Sequence, residues 1–335
     1  MLLGGGHAHL HVLRALAAAP VPHARVTLVS PLPGLVYTGM VPGLIGGHYR
    51  SDDCTIALAP LADRAGAEFI EAAATAIDAD ARSVTIARSD GSIAALDYDI
   101  LSIDVGGMTA AASIPGAGRH ALLVRPLDRF VETLEQRLAT PGRAPSDVVV
   151  VGGGAGGFEL ALALRFRLSG AARIHLIAGD SALLAAHPAG VRRRARRALR
   201  RREVVVHEDR CIEIGACDIA LASGSRVACD LAIVATGSAA PQWLRGSGLA
   251  LDPDGCIATG ATLQSLSHET VFAAGDVATR VDAPRPRSGV HAVRAGPPLA
   301  HNLRCALEQR PLAAYRPQTR SLSLLACGDR YAIAS

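Results

Sequence analysis

The sequence predicts an α/β protein built from two Rossmann-like dinucleotide-binding domains, and three observations carry that prediction. The chain opens on a glycine-rich turn, LLGGGHAHLHVL (2–13), and a second one occurs in DVVVVGGGAGGFELALAL (147–164). Each turn lies between an apolar strand-like run and a helix-like run, and each is followed by a second strand-like run. The length of 335 residues leaves room for roughly two domains of ordinary size.

The elements follow in order. In the first copy, the pattern after Gly4, Gly5 and Gly6 predicts a helix to about residue 19 and a strand over 25–30, RVTLVS. In the second copy, residues 148–151 are all valine behind the polar Asp147, as a buried parallel strand requires. Gly152, Gly154 and Gly157 then supply a complete G-x-G-x-x-G. A helix follows from Glu159, and a strand is predicted over 173–178, RIHLIA. The spacing has a physical reason. The first glycine makes the tight turn, the second lets backbone N–H groups approach a diphosphate, and the third lets helix and strand pack closely. The positive end of the helix then attracts the phosphate charge. In the first copy the third position is His9, which predicts a looser turn. YDILSIDVGG (98–107) and CDLAIVATGS (229–238) echo each other as acid, apolar strand and glycine turn, and each closes one nucleotide unit. ETVFAAGDVA (269–278) predicts a strand ending at Gly275-Asp276. An acid there can receive a sugar or ribityl hydroxyl, or simply form a Gly-Asp turn.

Composition narrows the classes. Half the residues are hydrophobic and 19% are charged, as in a packed globular protein. All 34 basic residues are arginine, so a P-loop lysine, a Schiff-base lysine and a lysine general base are excluded. Aromatics make up 3% and net charge is +4, which gives no support to nucleic-acid binding. The seven cysteines (Cys54, Cys211, Cys217, Cys229, Cys256, Cys305, Cys327) form no C-x-x-C, which argues for reduced thiols and a cytoplasmic setting. No signal peptide and no membrane-spanning run are evident. His7 and His11 share one helix face, but a diphosphate would occupy the same end, and no metal site is assigned. VRRRARRALRRRE (191–203) carries eight arginines in 192–202. It predicts a helix with Val191, Ala195, Ala198 and Leu199 facing inward. Its outer face reads as solvated, with attraction to anionic lipid, and hence peripheral membrane contact, as the alternative.

In this order the motifs resemble the two-dinucleotide-domain flavoproteins of the pyridine nucleotide–disulfide oxidoreductase superfamily, over almost the whole chain. YTGMVPGLIGGHY (37–49) resembles the corresponding segment of type II NADH dehydrogenases. Together with LLGGGHAHLHVLRAL, LVSP and RSGVHAVRAGPPLAHNL, it is most similar to the flavoprotein domain fused ahead of selenide, water dikinase, a group that tolerates histidines in the first glycine loop. The resemblance implies an FAD domain at 1–117 and 241–310, an inserted NAD(P)H domain at 118–240, and the start of a C-terminal interface region at 311–335. It implies FAD contacts at Gly4, Gly5, Gly6, His7, Ala8, Ser30, Pro31, Gly106, Gly275 and Asp276, and at the helix start His291, Ala292 and Val293. It implies nicotinamide-cofactor contacts at Gly152, Gly154, Gly157 and Gly237.

Glu159 is the candidate catalytic carboxylate, because relatives place a glutamate here near the nicotinamide and flavin. The alternative is that it only favours the helix N-terminus. Two positions depart from the pattern. The acid that usually closes the second strand and holds ribose hydroxyls is replaced by Ser30 in one copy and Ala178 in the other, with Asp180 as a substitute for the latter. No arginine lies between 178 and 191, so NADH is expected over NADPH, with weak affinity.

No cysteine pair occurs within 37–60, where disulfide reductases of the family keep theirs, so a dithiol relay is not expected. The function implied is an FAD-dependent NAD(P)H oxidoreductase passing electrons to a small-molecule acceptor, either a quinone or a sulfur or selenium compound. Arg294 and Ala295 stand where type II NADH dehydrogenases carry paired glutamines near the quinone. The alternatives are a sulfide- or selenide-oxidising flavoprotein, for which Cys211 and Cys327 would be the distant pair, and a regulatory nucleotide-binding protein without turnover. Oligomeric state is left open.

Overall fold

Short runs of valine, leucine and isoleucine from distant parts of the chain are brought side by side as two parallel sheets, one in each of two units. The computed structural model describes residues 1–111, 114–139 and 144–335. One unit comprises Met1–Leu35, Thr55–Met108 and Ser238–Ser321, and the other Val36–Cys54, Thr109–Gly237 and Leu322–Ser335.

In the first unit, strand Leu2–Leu3 is central. Leu101–Ile103 pairs on one side of it and Val26–Ser30 on the other, with Val271–Ala273 and Ala67–Glu71 at the edges, all parallel. Helix His7–Ala18 is the crossover between the central strand and Val26–Ser30, and it buries Ala8, His9, Val12 and Leu13. The long helix Gly289–Leu307 crosses it closely. A Cβ built on Gly296 would lie 2.6 Å from the Cβ of His11, so the crossing needs glycine there. A three-stranded antiparallel meander (Ala73–Asp78, Ser83–Ala87, Ile93–Asp97) completes the unit, with Val84 and Ile86 buried on its inner face.

The second unit repeats the plan. Its sheet order is Ala121–Leu123, Leu231–Val234, Asp147–Val151, Arg173–Ile177, Val204–His207, again all parallel. Every residue of Asp147–Val151 is buried, which is why this strand shows no polar alternation. Helix Ala155–Arg167 is buried over most of its circumference, including Phe158 and all of Leu160, Ala161, Leu162, Ala163 and Leu164. Each of its fully buried leucine or phenylalanine side chains contributes about 1.5–3 kcal/mol relative to exposure. The arginine-rich run forms helix Ala189–Arg201 and buries Val191, Ala195, Ala198 and Leu199, with two arginines of the run ion-paired, Arg196 to Glu208 and Arg202 to Asp329.

The contacts move the expected boundaries near 117 and 240 by a few residues and regroup two longer segments. Residues 36–54, read above with the first domain, belong to the second unit, as do Leu322–Ser335 from the expected interface region. The reason is apolar packing. Val41, Leu44 and Ile45, and from the C-terminal hairpin Leu325, Cys327 and Ile333, join the cluster built on Phe130, Phe158 and Leu162. Arg167 fastens the same region, donating to both carboxylate oxygens of Glu135 at 2.6 and 2.7 Å and to the Ile45 carbonyl at 3.3 Å. Among the described residues no helix is long and apolar enough to cross a membrane.

Candidate functional site

In the first unit, the residues expected to hold FAD come together at one end of the parallel sheet. The turn after Leu2–Leu3 is tied down by Gly4 N–H donating to Val29 O at 2.8 Å and Gly6 N–H donating to Asp104 O at 3.1 Å. Gly4 has φ +94°, and a Cβ there would lie 2.4 Å from the carbonyl oxygen of Asp104, so no other residue fits. Gly5 and Gly6 complete the turn, and His7 and Ala8 begin the helix. Ser30 closes the second strand and is buried, its hydroxyl donating to Leu32 O at 3.0 Å, while Pro31 is exposed. Gly106 follows the strand Leu101–Ile103 with φ +71°. Gly275 and Asp276 follow Val271–Ala273, with Asp276 buried.

His291, Ala292 and Val293 lie in the first turn of helix Gly289–Leu307. Gly275, Asp276, His291 and Ala292 line one cleft with Arg280 and Tyr315. His291 Nδ1 is buried there with no hydrogen-bond partner among the described residues, a polar atom suited to meeting a ligand. The narrow turn, the buried acid and this unsatisfied nitrogen fit a flavin dinucleotide.

His9 fills the third position of this turn with a side chain. Its ring is fully buried between helix and sheet. Nδ1 lies 2.6 Å from the Gly4 carbonyl and Nε2 lies 2.8 Å from Ser102 Oγ. A carbonyl can only accept, so Nδ1 carries the proton and Nε2 accepts from the serine. Burial holds the ring neutral, its pKa pushed down to about 4. The histidine thus replaces glycine-mediated contact with two hydrogen bonds.

The second unit carries the complete turn. Gly152 N–H donates to Ile177 O at 2.8 Å. A Cβ on Gly157 would lie 1.9 Å from the carbonyl oxygen of Gly152, so helix and strand meet only because that side chain is missing. Gly154 is the N-cap of the helix. Gly237 follows the closing strand, next to Thr236, whose hydroxyl donates to Ala110 O at 2.9 Å.

Glu159 is half-buried in the first turns of the helix. Its Oε1 accepts the Ala326 N–H at 2.8 Å, which fastens the helix to the C-terminal hairpin. Burial pushes its carboxyl up to about 7. It therefore exchanges a proton near neutral pH, and it also has a structural tie that neither reading of the sequence anticipated.

Two further features were missed. Asp104 accepts hydrogen bonds from the N–H groups of Ala8 (2.8 Å) and His9 (3.2 Å). Its signal was present in DVGG, where an acid stands just before a glycine turn. Arg210 lies beside Asp180, Nε to Oδ2 at 3.1 Å, although 30 positions separate them in the chain. It arrives because strand Val204–His207 pairs with Arg173–Ile177 and brings the following loop to Ala178 and Gly179.

Six of the seven cysteines are buried, Cys217 being exposed, and none of the seven is in a disulfide. Burial raises the thiol pKa of both Cys211 and Cys327, which makes neither a ready nucleophile. Among the described residues no cluster of three or more His, Cys, Asp or Glu could hold a metal ion.

The family described as pyridine nucleotide-disulphide oxidoreductase matches residues 1–296. The demethylphylloquinone reductase NdbB of Synechocystis sp. is 30% identical over 271 residues, which cover 77% of this chain and 67% of that protein. Among solved structures, the NDH2 of Plasmodium falciparum in complex with NADH superposes with a TM-score of 0.84 at 14% identity, covering 99% of this chain and 89% of that one. A NAD-dependent persulfide reductase from A. fulgidus has a TM-score of 0.81 at 22% identity, covering 97% of this chain. The chain spans 61% of the length of that reductase.

Proposed function

The chain belongs to the pyridine nucleotide-disulphide oxidoreductase family, a family of FAD-dependent oxidoreductases that work with NAD(P)H, and on that premise we propose that it oxidises NADH and passes the electrons to a small-molecule acceptor without a dithiol relay. The observation that carries this reading is the repetition of one architecture. In each parallel sheet the strand that leads into the glycine turn has the closing strand of its unit on one side and the next two strands of its unit on the other, and each such strand ends in a glycine turn that admits a dinucleotide diphosphate.

Bound FAD would supply the two-electron chemistry that no side chain here can. The protein's part is to bind and orient. The Gly4, Gly5, Gly6 turn and Asp276 hold the diphosphate and sugar side of the flavin dinucleotide. The start of helix Gly289–Leu307 would offer its N–H groups to the bound flavin. The Gly152, Gly154, Gly157 turn holds the nicotinamide dinucleotide. Glu159 holds or releases a proton at its carboxyl near neutral pH.

For the acceptor, similarity to a demethylphylloquinone reductase supports a quinone, and the notable departures are Arg294 and Ala295. Anaerobic mixing with NADH is expected to bleach the flavin, and a naphthoquinone is expected to restore the colour. No bleaching by NADH with full bleaching by sulfide would replace this reading with sulfide oxidation. Recovery of colour with polysulfide or selenite but not with quinone would move the acceptor to the sulfur and selenium class.

Donor preference follows from Asp180 and Arg210. Their side chains are 69% and 60% exposed, so the ion pair itself contributes no more than about 1 kcal/mol. The carboxylate still sets the sign of the site, repelling a 2′-phosphate and accepting a 2′-hydroxyl. Asp180→Ala leaves Arg210 to meet the phosphate. A charge-assisted hydrogen bond of about 1.5 kcal/mol corresponds to roughly tenfold, so the NADPH-to-NADH ratio of reduction rates should rise by about that factor. Stopped-flow reduction with each donor measures it, and an unchanged ratio would remove Asp180 from the donor site.

A further inference from the structure

Asp104 is 2% exposed and has no ion-pair partner among the described residues. Its two oxygens are used differently. Oδ2 accepts both N–H bonds from the start of helix His7–Ala18, the donors that a helix N-terminus offers to an anion. Oδ1 sits in a slot between two glycines. A Cβ on Gly6 would lie 2.3 Å from it, and a Cβ on Gly275 would lie 2.4 Å from it. Both residues are expected FAD contacts, and both must be glycine to admit this carboxyl.

The surroundings oppose a second negative charge. Burial acts first, and the nearby carboxylate of Asp276 adds to it against the pull of the Ala8 and His9 N–H groups. Together they push Asp104 up to about 7. The other titratable groups on the packed elements are few. His9 is neutral and already committed to Gly4 and Ser102, and His7 stands two residues earlier on the same helix. The Met1 amino group on the central strand is pushed down to about 6, also by burial, and donates to Ile100 O. On helix Gly289–Leu307, His291 precedes Ala292, the residue nearest Gly275, and its pKa is lowered by burial.

We propose that Asp104 carries a proton whenever the diphosphate of FAD lies on this turn, so that flavin binding takes up one proton and weakens as pH rises. The inference rests on the reading of this turn as an FAD site. A diphosphate and an ionised Asp104 would compete for one helix end in a desolvated slot that already faces Asp276. Protonation at Oδ1 removes that repulsion while Oδ2 keeps both N–H bonds. Asp104 remains a positioning residue in either state, because Oδ2 fixes the helix start.

The sign follows from linkage. The bound form holds one proton more than the free form wherever free Asp104 is ionised, so affinity is level below its titration and falls by up to about tenfold per pH unit above it. Flavin-stripped protein is titrated with FAD from about pH 6 to about pH 9, and proton uptake is recorded in weak buffer. The wild type is expected to lose affinity through the upper half of that range and to take up close to one proton per FAD. Asp104→Asn keeps the acceptor for Ala8 and His9 but cannot ionise. Its affinity should be level across the range and should exceed the wild type at the alkaline end by at least about tenfold. Level wild-type affinity with no proton uptake, or the same slope in Asp104→Asn, would overturn the proposal while FAD binding itself stands. Failure of both proteins to bind FAD at any pH would overturn the flavin reading and this inference with it.

Discussion

Replacing Gly157 by leucine is expected to abolish flavin bleaching by NADH and by NADPH while the purified protein stays yellow. The side chain at 157 has nowhere to go. Its Cβ would fall 1.9 Å from the Gly152 carbonyl oxygen and 2.9 Å from its carbon, and both are backbone atoms that no rotamer change can move. The helix cannot retreat either, because Phe158, Leu160 and Leu162 on the same segment are packed into the core of the second unit. The turn must therefore open, which takes the N–H groups at the helix start away from the position of a diphosphate.

A fall in reduction rate of at least about a hundredfold, or about 2.7 kcal/mol, is the expected scale. Flavin content and complete bleaching by dithionite separate this loss from a failure to bind FAD. Gly157→Ala brings the same Cβ into the same collision and guards against a purely bulky effect. Donor-driven bleaching at more than half the wild-type rate in both variants would show that this turn does not hold the nicotinamide dinucleotide.

What was legible in the sequence was local. The all-valine run 148–151, the glycines at 152, 154 and 157 and the inward residues of the arginine-rich helix were readable because strand burial, turn geometry and the helical period each act within a few residues. What escaped is what the fold brings in from far away. Asp104 reaches the helix start from 96 positions along the chain. Arg210 meets Asp180 only through the pairing of two strands. Glu159 meets Ala326 from 167 positions away, and periodicity around either residue carries no trace of that bond.

The packing of residues 36–54 escaped for a related reason. Val41, Leu44 and Ile45 are apolar enough to join either unit's core, and the structure packs them with Phe158 and Leu162 of helix Ala155–Arg167. His9 shows a different limit. A motif records that small residues usually stand at the third position, but not that a neutral imidazole with one donor and one acceptor can bridge Gly4 and Ser102 in its place.

Valine at position 4 is expected to give the converse result, a protein that purifies without flavin. Gly4 has φ +94°, a region that costs an ordinary L-residue about 1–2 kcal/mol and a β-branched one more. Sterics add to that strain, because the Cβ would meet Asp104 O at 2.4 Å and Val105 Cα at 2.7 Å, both backbone atoms at the end of the neighbouring strand. Relief requires the turn to pull away from that strand, which breaks Gly4 N–H to Val29 O and Gly6 N–H to Asp104 O together. The helix start then no longer faces the flavin diphosphate, and the Asp104 carboxyl loses its slot beside Gly6. Affinity for added FAD should fall by at least about a hundredfold. The turn at Gly152 belongs to the other unit and is untouched, so NADH binding, followed by the fluorescence of the bound nucleotide, should persist. Yellow protein with wild-type flavin content would show that FAD is held somewhere other than this turn. Loss of NADH binding alongside FAD would mean that the substitution had unfolded the chain, and the less demanding Gly4→Ala would then carry the test.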